Sequence, residues 1–333
     1  MLRIDENQIV RLLRGRFGAR SPSLIQGIGD DAAVLRLRGA REHLVVTTDM
    51  LLEGVDFRRS WIAPPELGHK SLAVNLSDLA AMGARPRFFT VALALPADVS
   101  EGWIQDFYGG MSILAKRQGA MLIGGDLSRS SSGIQVTITA IGETSGRRVA
   151  CRSGGRPGDL LFVTGILGKA AAGLALLRQG RTSGRSAAER LALRSHRAPE
   201  PRCDAGLWLV GNRFISCMMD LSDGLSTDLP RLCEASGVGA EIHGAQLPVF
   251  AEARRWQCDP VDLALNGGED FELLFAVPER KAARLEKAYP SKYPPISRIG
   301  RLRRERDVVW APSPDLPLRP LAPRGFDHFR NFS

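Results

Sequence analysis

Aspartates recur in this chain beside small residues, at places where apolar runs stop. Gly29-Asp30-Asp31, Thr47-Thr48-Asp49, Leu76-Ser77-Asp78, Gly124-Gly125-Asp126, Asp220-Leu221-Ser222-Asp223-Gly224 and Gly267-Gly268-Glu269-Asp270 all share the habit. Most follow a run that reads as a β-strand, so the pattern predicts carboxylates gathered at strand ends. Carboxylates brought that close repel one another unless cations lie between them. Hard cations with oxygen ligands suit such a set, Mg2+ above all, and protein-held Mg2+ usually shares its shell with phosphates. The pattern points to a nucleotide-dependent phosphoryl-transfer enzyme.

A chain of 333 residues can bury a sizeable core and favours two domains. Ile9, Leu12, Leu13 and Phe17 lie at helical spacing within 5–17. Strands are predicted at 32–37, 44–48, 88–95, 121–123 and 134–141. Helices are predicted at 64–82, which starts on Pro64-Pro65-Glu66, and at 100–118, which stops at Gly119. A turn-rich stretch from Cys151 to Asp159 interrupts the pattern, which places a domain boundary near 147–158. Beyond it the pattern restarts with strands at 160–164, 217–221, 240–243, 271–277 and 296–302. Helices are predicted there at 168–179, 202–214, 224–236 and 279–288, with a polar linker at 180–197 and a loop at 244–268. Both halves are mixed α and β, so the expected units are 1–148 and 149–333.

Several function classes are excluded or weakened. No run of about 18 apolar residues exists to span a membrane, and the charged stretch Met1 to Phe17 lacks a signal-peptide core. The five cysteines form no C-x-x-C pair and no zinc spacing, which favours reduced thiols in a cytoplasm. The net charge of +9 is carried by arginines spread along the chain, without a nucleic-acid-binding signature. A solvated basic surface that also attracts anionic nucleotides explains it. Gly165-Ile166-Leu167-Gly168-Lys169-Ala170 falls short of a P-loop. No protein-kinase glycine loop with a downstream H-R-D is present. The histidines at 43, 69, 196, 243 and 328 are scattered and read as surface or core.

Each acidic segment also has a bland reading. Thr47-Thr48-Asp49 offers hard oxygen ligands at a strand's carboxyl end, where ligands bind in α/β sheets, or merely caps that strand. Gly124-Gly125-Asp126 lets backbone approach a phosphate, or is a plain turn. In Asp220-Leu221-Ser222-Asp223, strand alternation puts Asp220 and Ser222 on one face. Asp223 can serve as a helix cap, a role that does not explain Asp220. Arg152 is a phosphate ligand or a solvent-exposed loop arginine. Phe326 stacks on a flat heterocycle or anchors the tail, and Tyr108 has the same two readings within its helix.

Taken in order, the segments resemble the thiamine-monophosphate kinases, whose fold is shared with aminoimidazole ribonucleotide synthetase. The resemblance rests on Gly27 to Val34, Thr47 to Val55, Ala73 to Ala84, Gly124 to Asp126, Met219 to Leu225, Gly267 to Leu273 and Gly325 to Phe329, and spans nearly the whole chain. It implies a two-domain α/β (α+β) fold and a homodimer whose N-terminal domains pair their sheets. The implied reaction is direct transfer of the ATP γ-phosphate to thiamine monophosphate, with no phosphoenzyme. Asp30, Thr47, Thr48, Asp49, Asp78, Asp126, Asp220 and Asp223 are then the holders of several Mg2+ ions. Tyr108, Gly125, Asp126, Arg152 and Ser222 would touch ATP, and Asp56, Glu269 and Phe326 the substrate. Position 56 departs from the family, which often has histidine there. An aspartate can accept a hydrogen bond or meet a cationic ring, but cannot donate as histidine does.

No general base is required, because the acceptor phosphate is already ionised near neutral pH and the transfer needs alignment and charge neutralisation. Asp31 and Asp270 are left with structural roles. The rivals are sister enzymes of the same fold, of selenophosphate-synthetase or ribotide-synthetase type or acting in hydrogenase maturation, and a non-catalytic nucleotide sensor or basic nucleic-acid-binding protein. The first cysteine is Cys151, so the N-terminal cysteine or selenocysteine of selenophosphate synthetase is missing. Carboxylates placed this densely would repel a phosphate backbone.

Overall fold

The computed structural model describes residues 6–17, 21–313 and 315–326. After helix α1 (Glu6–Phe17), strands β1 (Leu24–Gln26), β2 (Ala33–Arg36) and β3 (His43–Leu52) lead to helix α2 (Pro64–Ala81). Strand β4 (Ala84–Leu95), helix α3 (Glu101–Gln118) and strands β5 (Met121–Arg129) and β6 (Gln135–Thr144) complete the first sheet, ordered β1-β2-β3-β6-β4-β5. Only the β4–β5 pair in it is parallel. Burial alternates residue by residue along β6, with Val136, Ile138 and Ala140 turned to the core. Helix α2 covers that face. Its Pro64 suits a first helical position, the Glu66 carboxylate accepts the Ala63 amide at 3.0 Å, and it is buried nearly all round. The other face of the sheet is open, and along β5 every residue is exposed.

The second sheet is ordered β13-β12-β9-β11-β7-β10-β8. Its strands are β7 (Leu160–Thr164), β8 (Cys217–Asp220), β9 (Gly239–His243), β10 (Leu273–Val277), β11 (Ile296–Arg303), β12 (Val308–Ala311) and β13 (Arg319–Pro320). Helices α4 (Lys169–Arg178), α5 (Ala187–Arg197), α6 (Cys203–Gly211), α7 (Leu225–Ser236), α8 (Pro260–Asn266) and α9 (Glu279–Ala288) are interspersed. Strands β7 and β10 and the edge strand β8 are buried on both faces, as their largely apolar runs require. Alternate residues serve two cores. Phe162, Met218 and Phe275 join the core of the first sheet, while Leu161, Met219 and Leu274 pack with Leu225, Leu229 and Leu232 of α7. Phe162 and Phe275 stack at 5.7 Å where β7 and β10 pair. The sheets thus share one apolar core, and β8 ends beside the last turns of α2.

Several expectations need correction. Thr47-Thr48-Asp49 is mid-strand, since β3 runs on to Leu52, with Thr48 on the open face and Thr47 and Asp49 on the α2 side. Gly124-Gly125-Asp126 likewise lies inside β5, which continues to Arg129. Ser77-Asp78 lies in the last turns of α2, inside the helix expected over 64–82 and so away from the strand ends expected of most acidic segments. The stretch read as a polar linker contains α5: Ser186 accepts the Glu189 amide, and Ala192, Leu193 and His196 form its buried stripe. The loop 244–268 contains α8, started by Asp259 and Pro260. Asp327, His328 and Phe329 lie outside the described residues.

Candidate active site

A cleft of about 1850 Å³ opens where β3, α2, β8 and the 267–271 loop meet. This is larger than the roughly 300–1,000 Å³ of a pocket for one ligand, and has room for two substrates. Asp31 follows β1, Asp78 lies in the last turn of α2, and Asp220 ends β8. One carboxylate oxygen from each comes within 4.8 Å of the others. Asp31 Oδ1 accepts Arg152 Nε at 2.9 Å, whereas its buried Oδ2 has no hydrogen-bond partner. Asp78 accepts the Thr47 hydroxyl, and Asp220 accepts that of buried Ser77 at 2.6 Å.

Burial first, then neighbouring charge, pushes these carboxyls up. Asp78 is held well above the usual range by burial, then by Asp49, Asp220 and Asp31. Burial and then Asp31 bring Asp220 to about 7. Asp31 is raised by burial against the opposing pull of Arg152. Asp30 rises to about 6, chiefly through burial and then Asp31, although its oxygens accept the Arg152 amide at 3.2 and 3.3 Å. A set of hard oxygen donors that resist joint ionisation, with one orphaned buried oxygen, fits divalent cations such as Mg2+.

The predicted residues separate into groups. Asp30, Thr47, Asp49, Asp78, Arg152, Asp220, Ser222 and Asp223 all line the cleft. Strand alternation turns Thr47 and Asp49 to the α2 side, where the Asp49 amide donates to Asn75 Oδ1 at 3.1 Å. Thr48 also borders the cleft, but its hydroxyl faces the open side and bonds that of Thr139 at 2.8 Å. Arg152 is clamped on Asp31 through Nε and Nη2. Asp223 is paired with Arg231, which also reaches Asp228 at 3.1 Å. Asp56 borders the cleft and accepts the Leu52 amide at 2.7 Å, closing its own turn. Phe326 lines the cleft and donates its amide to the Asp223 carbonyl at 3.1 Å.

Glu269 also faces the cleft, between Lys70 Nζ at 2.6 Å and His196 Nδ1 at 2.8 Å. Burial opposes its charge, but Lys70 and then His196 hold its carboxyl at about 2. Gly268 is needed beside it, because a Cβ there would meet the Ser222 carbonyl oxygen at 2.5 Å. Asp270 keeps the structural role expected of it, accepting the Gly168 and Ala170 amides at the start of α4 at 2.6 and 3.2 Å.

Tyr108, Gly125 and Asp126 are not among the residues lining the cleft. Tyr108 packs edge-on to Phe107 within α3. A Cβ at Gly125 would meet the Val91 carbonyl oxygen at 1.9 Å, so strand pairing alone demands a glycine. Asp126 sits opposite Ala92 on β5; the register runs on through Thr137 to Met50, three strand spacings or about 14 Å away.

Sequence reasoning missed Asp31, Lys70, Ser77 and His196. The Asp30-Asp31 doublet and the polar Asn75 to Asp78 run inside a buried helix were the available signals for Asp31 and Ser77. For Lys70 and His196 nothing local marks the pairing.

Residues 29–144 match the family model described as AIR synthase related protein, N-terminal domain, and residues 156–310 that described as AIR synthase related protein, C-terminal domain. The chain is 36% identical over 330 residues to the thiamine-monophosphate kinase of Bacillus subtilis (strain 168), a match covering 98% of this chain and 100% of the relative. It is 38% identical over 306 residues to the thiamine-monophosphate kinase of Escherichia coli (strain K12), covering 91% of each. The solved structure of AaThiL complexed with AMPPCP and TMP superposes with a TM-score of 0.85 at 30% identity, covering 99% of both chains.

Proposed function

The chain belongs to the thiamine-monophosphate kinase family of AIR synthase-related proteins, and from that premise we propose how its cleft carries out the family reaction. It is an ATP-dependent phosphotransferase acting on thiamine monophosphate, and its product is thiamine diphosphate. The rival readings, sister enzyme or nucleotide sensor, yield to that membership.

The single observation that carries the assignment of the cleft is the buried convergence of Asp31, Asp78 and Asp220. Together with Asp30, Asp49 and the Thr47 hydroxyl, these residues would hold several Mg2+ ions. Bound there, such ions would neutralise and align the phosphates for in-line transfer. Arg152 neutralises Asp31 and sets its orientation, Ser77 fixes Asp220, and Arg231 fixes Asp223. Thr48, Asp223 and Ser222 complete the cation and ATP contacts in this reading. The acceptor phosphate attacks without losing a proton, so no general base is assigned. Glu269, Phe326 and the turn held by Asp56 form the substrate end.

Tyr108, Gly125 and Asp126 stay within the ATP and metal assignments through a second copy. A homodimer paired through the open face of the first sheet would bring them to the partner's cleft. The exposed β5, with Met121 62% and Leu127 72% accessible, supports that pairing. The units 1–148 and 149–333 belong to the same reading, as does a cytoplasmic location, supported by five unpaired cysteines. Among the described residues no helix is long and apolar enough to cross a membrane. A coupled assay of ATP turnover tests the reading with thiamine monophosphate, free thiamine and aminoimidazole-pathway substrates, each with and without Mg2+. The expected result is turnover with the monophosphate alone, abolished by chelation; Mg2+-independent turnover would overturn the metal assignment.

A further inference from the structure

Lys70 has no exposed surface, and among the described residues its one ion partner is Glu269. His196, buried on α5, turns Nδ1 to the other oxygen of the same carboxylate. Both nitrogens lie within hydrogen-bond reach of the carboxylate, so two donors are aimed at one group. The three side chains come from α2, α5 and the 267–271 loop, which are far apart in sequence. That loop is held in an unusual shape: Glu269 and Phe271 have φ of 66° and 47°, left-handed values rare for residues with a side chain. Their amides donate to the Ser222 and Leu221 carbonyls at 2.7 and 2.9 Å, which ties the loop to the segment following Asp220.

A buried ion pair is a poor device for stability alone, since well-packed apolar residues of similar volume often do as well. Here the pair leaves an ionised, acceptor-only carboxylate facing the cleft, with lone pairs beyond those turned to Lys70 and His196. We propose that Lys70 and His196 are positioning residues that lock Glu269 in one orientation, so that it receives an N–H donor or a cationic ring of the acceptor substrate. The inference rests on the assignment of Glu269 to the substrate end. His196 acts as a neutral imidazole with the proton on Nδ1; burial, then Lys70, lowers its pKa.

Steady-state kinetics with each substrate varied in turn is the test. Replacing His196 with leucine should raise KM for the acceptor roughly 10- to 100-fold, the scale of a lost bond to a charged group, while kcat and KM for ATP stay within about threefold. His196→Asn places an amide N–H near the Nδ1 position and should recover most of that loss. His196→Gln, whose amide reaches toward the Nε2 position, should not. This second pair keeps the test decisive where the leucine variant does not fold. Lys70→Met should weaken the acceptor more than Lys70→Arg. An unchanged acceptor KM in both the leucine and glutamine variants, or equal losses for ATP and acceptor, would overturn the positioning role. Glu269→Gln separates the two ideas: an unchanged acceptor KM there sinks the substrate assignment itself. A raised one beside unaffected His196 variants sinks the positioning role alone.

Discussion

Asp220→Asn should make the metal-free protein more stable while abolishing its use of Mg2+. At 4.8 Å and an effective dielectric constant of about 20, two ionised carboxylates repel by about 3.5 kcal/mol. Proton linkage gives a similar size. A carboxyl raised from 3.8 to about 7 costs the folded, metal-free state about 4 kcal/mol once it ionises in both states. The sign follows from the direction of the shift. The folded pKa lies above the unfolded one, so the folded state holds the proton longer, and stability falls as pH rises from about 4 to about 7. The penalty is complete above that window and absent below it. Asparagine removes the charge and keeps an acceptor for the Ser77 hydroxyl, but it must still be buried, so a gain of about 2 kcal/mol is the expectation. Thermal unfolding in EDTA should show a Tm higher by roughly 3 °C at about pH 8, and little difference at about pH 4. Added Mg2+ should reverse the order. The unmodified protein gains about 2.7 kcal/mol at a hundredfold excess over Kd, and the variant gains little. A variant that melts below the unmodified protein in EDTA at alkaline pH, or a shift that is the same at both pH values, would refute the reasoning.

Three other outcomes follow from the same geometry. Asp49→Ala should lose most turnover at saturating Mg2+ yet melt normally, because the backbone bond from residue 49 to Asn75 survives the change; near-normal turnover would remove Asp49 from the metal group. Asp126→Ala should lose most activity with an unaltered fold. Mixing its subunits with Asp220→Asn subunits should restore up to roughly a quarter of wild-type activity if a second copy supplies Asp126, since random pairing leaves half the dimers with one intact site. No recovery after confirmed subunit exchange counts against that arrangement. Arg202 grips the fully buried Glu272 at 2.7 and 2.6 Å, with the Thr164 hydroxyl at 2.7 Å. Arg202→Met should therefore cost about 3–5 kcal/mol by leaving a buried charge under-compensated, read as a fall in Tm with little change in KM for either substrate of the protein that remains folded.

What local chemistry writes into the sequence was legible. The helix expected over 100–118 is α3, which Ser100 caps and which ends at Gly119 as expected, there in the left-handed conformation. The unbroken apolar runs at 160–164 and 273–277 are strands buried on both faces. The polar Thr47-Thr48-Asp49 hid the length of β3, because Thr48 lies on the open sheet face while Thr47 and Asp49 border the cleft rather than an apolar core. Arginine-rich composition hid α5, although Ser186 and Glu189 carry an N-terminal capping signal. The acidic segments named many of the residues that line the cleft, but not the partner of each carboxylate. Ser77 meets Asp220, and Lys70 meets Glu269, only through the packing of α2 against the second sheet.

Helix α2 explains why the two ends of the cleft can work together. Lys70 and Asp78 lie eight residues apart on it, an axial separation of about 12 Å at 1.5 Å per residue. One end reaches the Glu269 carboxylate that faces the cleft, and the other enters the acidic group. Between them Asn75 holds β3 through the Asp49 amide, and Ser77 holds Asp220 of the second sheet. Because the helix is buried almost all round, these polar side chains have fixed partners and the helix has little freedom to slide. On the proposed assignment, the distance from the carboxylate that would orient the acceptor to those that would hold cations is thus set by the pitch of a single rigid element. For a reaction in which alignment supplies most of the catalysis, that is the dimension that most needs to be fixed.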